Sequence, residues 1–136
     1  MNQPNDIVMR SGYAGDRFQG CTQAQKLALA MSTKTLILLC TCPDDAVAAN
    51  LSARLVEQGL AACINRVPGL SSVYMWEGEM QSSTEVLLMI KTAESTVERL
   101  IVELKRLHPY ELPEIIAVPI TAGYEPYLDW IRESTS

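Results

Sequence analysis

Two short runs, Leu36-Ile37-Leu38-Leu39 and Val86-Leu87-Leu88-Met89-Ile90, are apolar at every position. Successive side chains of a strand point to opposite faces, so an unbroken apolar run reads as a strand buried on both sides. Each run is too short for a helix and is followed by an amphipathic helical pattern. A fold must therefore place these two strands in the middle of a sheet and lay helices over it.

The elements between the runs are legible in order. A strand from Lys34 to Cys42 is ended by Pro43, which opens a helix with Asp44 and Asp45 in the first turn, where the helix dipole favours anions. Val47, Ala48, Leu51 and Leu55 give that helix one apolar face, and Gly59 stops it as a left-handed cap. Leu60 to Ile64 returns as strand; Pro68-Gly69 breaks the run as a bulge would, and Ser72 to Trp76 resumes it. Glu77-Gly78-Glu79 is a turn, and Glu85 to Lys91 is the next strand. Ser95-Thr96-Val97-Glu98 has the spacing of a capping box. Val97, Leu100, Ile101, Leu104 and Leu107 then follow helical spacing. Ile115 to Val118 is a fourth strand with Pro119 at its end or edge, and Tyr124 to Ile131 is a short closing helix with Leu128 and Ile131 on one face.

The order β-α-β, β-α-β plus a terminal helix predicts an α+β fold: a ferredoxin-like βαββαβ two-layer sandwich. Its sheet is antiparallel, both main helices lie on one face, and the first and third strands are central. Two helices shield one face only, yet the central strands are apolar on both. Burying even ~400 Å² of the other face at ~25 cal/mol/Å² is worth of order 10 kcal/mol gross, so a homo-oligomer is expected.

A chain of 136 residues supports one domain. Residues 33–136 carry the pattern; residues 1–32 show no sustained period and are expected to be a disordered extension, with at most a short helix near Thr22–Ala30. Arg10, Arg17 and Lys26 outweigh Asp6 and Asp16 by one charge, so of the net −5 the remainder carries −6. An acidic body without a basic stripe argues against nucleic acid. No apolar run approaches the ~20 residues of a membrane span, and no signal peptide is visible. Cys21, Cys40, Cys42 and Cys63 lack zinc-finger spacing and read as free thiols of a cytoplasmic protein.

The richest polar stretch is His108-Pro109-Tyr110-Glu111-Leu112-Pro113-Glu114. It holds the only histidine, and its two prolines exclude helix interior. His108 reads either as a helix-end histidine donating to a carbonyl or stacking on Tyr110, or as a metal ligand or pocket donor. Cys40 and Cys42 are two apart on a strand and face one way; they read either as small core residues or, with an imidazole, as a soft-metal set. Cys63 reads as core. Glu77, Glu79, Glu85, Glu111 and Glu114 fix no carboxylate pair and read mostly as solvated. Tyr74 and Trp76 share a strand face near a hairpin tip and read as core or interface anchors. Tyr124, Tyr127 and Trp130 read as packing residues. Lys91 ends a buried strand and can pair with Glu114 or meet an anion. There is no phosphate loop, no G-x-S-x-G and no two-histidine metal helix.

Five segments in order resemble one family. They are Leu39-Cys40-Thr41 with Pro43-Asp44; Leu60-Ala61-Ala62-Cys63-Ile64-Asn65; Tyr74-Met75-Trp76-Glu77-Gly78; Lys91-Thr92; and His108 through Ile115, with Tyr127-Leu128-Asp129-Trp130 fitting a closing helix. Over about residues 33–132 the chain is similar to the CutA divalent-cation-tolerance proteins. The resemblance implies a ferredoxin-like subunit in a tight homotrimer, similar in plan to the PII signalling proteins. It also implies a link to copper and other divalent-metal tolerance, and no established catalytic activity. A family copper site would map onto Cys40 and His108; members with that site often carry a second histidine where this chain has Leu107. The alternative is a PII-like module binding a small ligand or partner protein in a cleft near Trp76, Lys91, Tyr110, Glu111 and Glu114, with metal incidental.

Overall fold

The computed structural model describes residues 22–23 and 34–136. Apart from Thr22 and Gln23, both exposed, the expectation of a disordered extension over residues 1–32, with a helix near Thr22–Ala30, lies outside the described residues. In chain order the elements are β1 (Thr35–Cys42), α1 (Asp45–Glu57), β2 (Cys63–Trp76), β3 (Glu79–Ala93), α2 (Val97–Leu107), β4 (Ile115–Pro119) and α3 (Glu125–Glu133). The strands form one antiparallel sheet in the order β2-β3-β1-β4, so the two fully apolar runs occupy its centre. This is the expected ferredoxin-like α+β sandwich.

Even-numbered residues of β1 and β3 form the floor of the main core. Leu38, Cys40 and Cys42 from β1 and Val86, Leu88 and Ile90 from β3 are buried with Ala48, Leu51 and Leu55 of α1 and Leu100 and Leu104 of α2. Leu107 also packs against this core. Ile101, placed on the apolar stripe by spacing, is exposed instead. The stripe is narrower than its sequence suggests, because α2 meets the sheet along Leu100 and Leu104.

Helix ends explain three departures from the expected boundaries. Asp44, rather than Pro43, opens α1: its extended backbone places Oδ1 to accept the Val47 N–H at 2.9 Å. At the other end Gly59 takes φ +70°, and the Leu60 and Ala61 N–H groups both turn back to the Leu55 carbonyl. Those amides are thereby withheld from the sheet, and β2 starts at Cys63 rather than Leu60. The expected capping box at Ser95 does not form. Glu94–Thr96 is a single 3₁₀ turn, and Thr96, at the head of α2, gives no side-chain cap. Its hydroxyl instead donates to the Ala93 carbonyl at 2.9 Å, while Thr92 donates to the Leu60 carbonyl at 2.8 Å.

The β2–β3 hairpin is longer than expected. Register shifts between Val67 and Leu70, as Pro68-Gly69 requires, and pairing then continues to Trp76 opposite Glu79. Glu77 and Gly78 turn the corner with φ of 50° and 82°, the paired left-handed values of a two-residue hairpin loop.

The second face of the sheet is partly covered from within. Cys63 pairs with Lys91, so both project to the side opposite Ile90, and Tyr127 of α3 lies at Cys63. Helix α3 packs on β3 and β1 through a small second core of Ala62, Leu128 and Ile131, with Ile120, Tyr127 and Trp130 at its margin. Tyr127 and Trp130 stack at 5.4 Å; Tyr124, expected to pack with them, precedes the helix and is exposed. The rest of that face stays open: Ile116 (50% exposed), Val118 (45%) and Val67 (41%) adjoin Ile37, Leu39, Leu87 and Met89 in register.

Candidate metal centre

Strand β1 places Cys40 and Cys42 on the helix-covered face, as their spacing predicts, and both thiols are buried. Helix α2 ends at His108 because Pro109 cannot continue it and pushes His108 into extended backbone, ψ 136°. That turn swings the imidazole back over the C-terminal end of β1, where only 7% of the residue remains exposed. Among the described residues, Cys40, Cys42 and His108 form the one cluster of this kind. Their donor atoms all lie within 4.8 Å of one another.

The imidazole is held at both nitrogens. The Tyr110 N–H donates to Nδ1 at 3.1 Å, so Nδ1 carries a lone pair and the ring proton sits on Nε2. Nε2 donates it to the Thr41 carbonyl at 2.8 Å. The ring also stacks on Tyr110, with centroids 4.8 Å apart. The helix-end role open to this histidine is therefore present in full: a carbonyl partner and an aromatic neighbour.

Tyr110 extends the network. Its hydroxyl donates to Glu85 Oε2 at 2.9 Å, and Glu85 is only 5% exposed. Sequence reasoning placed Glu85 among solvated carboxylates. It is buried because β3 runs on past the end of β1 and the 108–114 corner folds over it. The signal was Glu85's position at the head of the apolar run. Burial, with Glu85 beside it, pushes the Tyr110 phenol well above its ordinary range.

The two thiols form a coupled pair. The hydrogen bond between them, and then burial, push Cys40 up, with Glu114 and Glu85 adding repulsion against a second negative charge. The same hydrogen bond moves Cys42 down. The pair thus resists carrying two negative charges, and the Cys40 thiol also lies 3.9 Å from the Thr41 carbonyl, to which it donates.

The candidate cleft residues do not converge within one chain. Trp76, at the hairpin tip, and Lys91, at the far end of β3, each lie six positions from the Glu85 level of the sheet, about 20 Å at 3.3 Å per residue. Tyr110, Glu111 and Glu114 belong to the corner between. Lys91 meets Cys63 Sγ at 3.9 Å and not Glu114, because β4 runs antiparallel to β1 and carries Glu114 to the opposite end. Glu111 offers its carbonyl to Lys105 Nζ at 2.6 Å.

The donor chemistry suits a soft cation. Two thiols and one imidazole are ligands for copper-like or zinc-like ions, not for magnesium or calcium. At metal–donor distances of about 2.0–2.3 Å, three donors in one plane stand up to about 4 Å apart, so closing the cluster requires movement of less than ~1 Å.

Fold and site together define a ferredoxin-like α+β subunit with a buried thiol–imidazole cluster capped by a His-Pro-Tyr corner. The family model of the CutA1 divalent ion tolerance protein matches residues 36–134, and the chain belongs to that family. It is 48% identical over 99 residues to the divalent-cation tolerance protein CutA of Thermus thermophilus, covering 73% of this chain and 96% of that one. It is 37% identical over 128 residues to the chloroplastic protein CutA of Arabidopsis thaliana, covering 94% of this chain and 69% of the relative. The crystal structure of CutA1 from Oryza sativa superposes with a TM-score of 0.75 at 40% identity, covering 77% of this chain and 96% of that one. In the described residues no helix is long and apolar enough to cross a membrane.

Proposed function

We propose that this protein serves in tolerance of metal cations, binding a soft ion, copper foremost, through Cys40 and His108 with Cys42 as a third donor. The observation that carries this reading is the approach of three buried donors to within 4.8 Å. The names of its relatives, divalent-cation tolerance proteins, point the same way. On this reading a bound cation is sequestered rather than used in turnover, and the protein is a binder rather than an enzyme.

The working form is a homotrimer in the cytoplasm, residues 33–136 forming the domain and residues 1–32 an extension. The support is the apolar strip of Val67, Ile116 and Val118, which is open to solvent in one subunit.

Titration of cuprous ion against a competing chelator, with wild type, Cys40→Ala and His108→Ala, tests the metal reading. One tight equivalent per chain is expected in wild type, and at least tenfold weaker binding in either variant. Three coincident curves would remove it. One observation favours a second reading, a PII-like trimer that binds a small ligand or protein between copies near Trp76, Lys91, Tyr110, Glu111 and Glu114. His108 already has both nitrogens engaged. Coincident curves would leave that reading standing.

A further inference from the structure

The histidine of the cluster is also the peg that fixes the 108–114 corner, and the two duties conflict. An imidazole has two ring nitrogens and, when neutral, one proton and one lone pair in the ring plane. Here the lone pair on Nδ1 accepts the Tyr110 N–H, and the proton on Nε2 goes to Thr41.

A cation needs a nitrogen lone pair. If it takes Nδ1, that lone pair is no longer available to Tyr110. If it takes Nε2, the proton there must move to Nδ1, and an Nδ1–H then faces the Tyr110 N–H, donor against donor. Either route breaks the same hydrogen bond. The consequence is independent of which nitrogen ligates.

The broken bond has a defined address. Besides His108 itself, Tyr110 reaches from the corner into the sheet, through its hydroxyl bond to buried Glu85. Pro109 and Pro113 stiffen the segment on either side, so a change at Tyr110 is passed along 109–114 rather than absorbed by one free residue. Glu111 and Glu114 ride on this segment, and Glu114 leads directly into edge strand β4, which carries the exposed Ile116 and Val118.

We propose that a soft cation held by Cys40, Cys42 and His108 necessarily releases the Tyr110 N–H from His108, so that the 109–114 corner reports whether the site is filled. The inference rests on the metal reading above and adds an output to it. The site becomes a sensor whose signal emerges beside the open apolar strip. Cys42 is part of the device: with Cys40 it supplies two of three donors, and the cation can then recruit His108 away from its resting partners.

Nuclear magnetic resonance of the full-length protein, under anaerobic conditions with cuprous ion added, follows both events at once. Chelator competition reports binding. Long-range histidine ¹⁵N spectra report the tautomer, and hydrogen exchange reports the Tyr110 amide. Filling the site is expected to change the His108 ring resonances and to speed exchange of the Tyr110 amide about tenfold, the loss of one ordinary hydrogen bond. Cys42→Ala is expected to bind at least tenfold more weakly and to show no amide response at the concentration that saturates wild type. Copper that binds tightly with the Tyr110 amide and the His108 ring unchanged would overturn the coupling while leaving the metal site. Copper that does not bind would overturn both. Tyr110→Phe keeps the N–H and loses only the Glu85 bond, so an unchanged ring response in that variant supports the assignment to the backbone amide.

Discussion

The Tyr110 N–H donates to His108 Nδ1 across 3.1 Å, and that one bond decides where the imidazole keeps its proton. With Nδ1 an acceptor, Nε2 must donate, and it does so to the Thr41 carbonyl at the end of β1. The histidine thus ties the end of α2 to the end of a central strand.

Removing the tie has a cost that does not depend on metal. His108→Ala leaves the Tyr110 N–H without its partner in a mostly buried place and leaves the Thr41 carbonyl only the weak Cys40 thiol at 3.9 Å. A loss of about 1–3 kcal/mol is expected, read as a lower urea midpoint at unchanged slope. A loss below half a kcal/mol would show that the corner is held by its prolines alone.

Tyr110→Phe isolates the second tie. It strands a buried carboxylate at Glu85, and bonds to charged acceptors are worth about 1.5–3 kcal/mol. The double variant Tyr110→Phe with Glu85→Leu should recover part of that loss, because no unpaired carboxylate remains. Equal losses in the single and double variants would contradict a functioning bond.

Both ends of the pH range should be shaped by identifiable groups. Burial raises Tyr127 to about 12. Below pH 10 folded and unfolded chains both hold that proton; between about 10 and 12 only the folded chain does, so stability falls with rising pH. Tyr127→Phe should make that alkaline decline shallower. At the acid end the hydrogen bond from Arg106 holds Glu103 down to about 2. Its contribution is present above the usual pKa of 4.5 and is lost as pH falls toward 2. Glu103→Gln should therefore flatten the acid limb of a urea-midpoint profile, and an unchanged limb would remove the assignment.

The open strip makes a separate prediction about assembly. Ile116→Glu with Val118→Glu places charges where the proposed neighbour would sit. Light scattering should give about 45 kDa for wild type, three times the 15.0 kDa chain, and a lower mass for the variant. A wild-type species of 15 kDa at micromolar concentration would contradict the trimer.

Much of this was legible in the residues because the relevant signals are local or periodic. The apolar runs at Leu36 and Val86 placed the central strands, and the two-residue spacing of Cys40 and Cys42 put both thiols on one face. What failed depended on contacts distant in sequence. The Ser95 capping box was lost to a Thr92–Thr96 hydroxyl pair beside the Leu60 carbonyl. Glu85 was misjudged because its partner is Tyr110, 25 residues away. The helix face covering Cys63 came from α3, whose short pattern says nothing about which side of the sheet it meets.

X-ray absorption at the copper edge, on wild-type protein loaded with one cuprous ion per chain, addresses the metal centre directly. Two sulfur scatterers and one imidazole nitrogen in the inner shell are expected, falling to one sulfur in Cys42→Ala. An inner shell of oxygen or nitrogen alone, or a spectrum unaltered by the loss of Cys40 or His108, would place the cation elsewhere on the molecule.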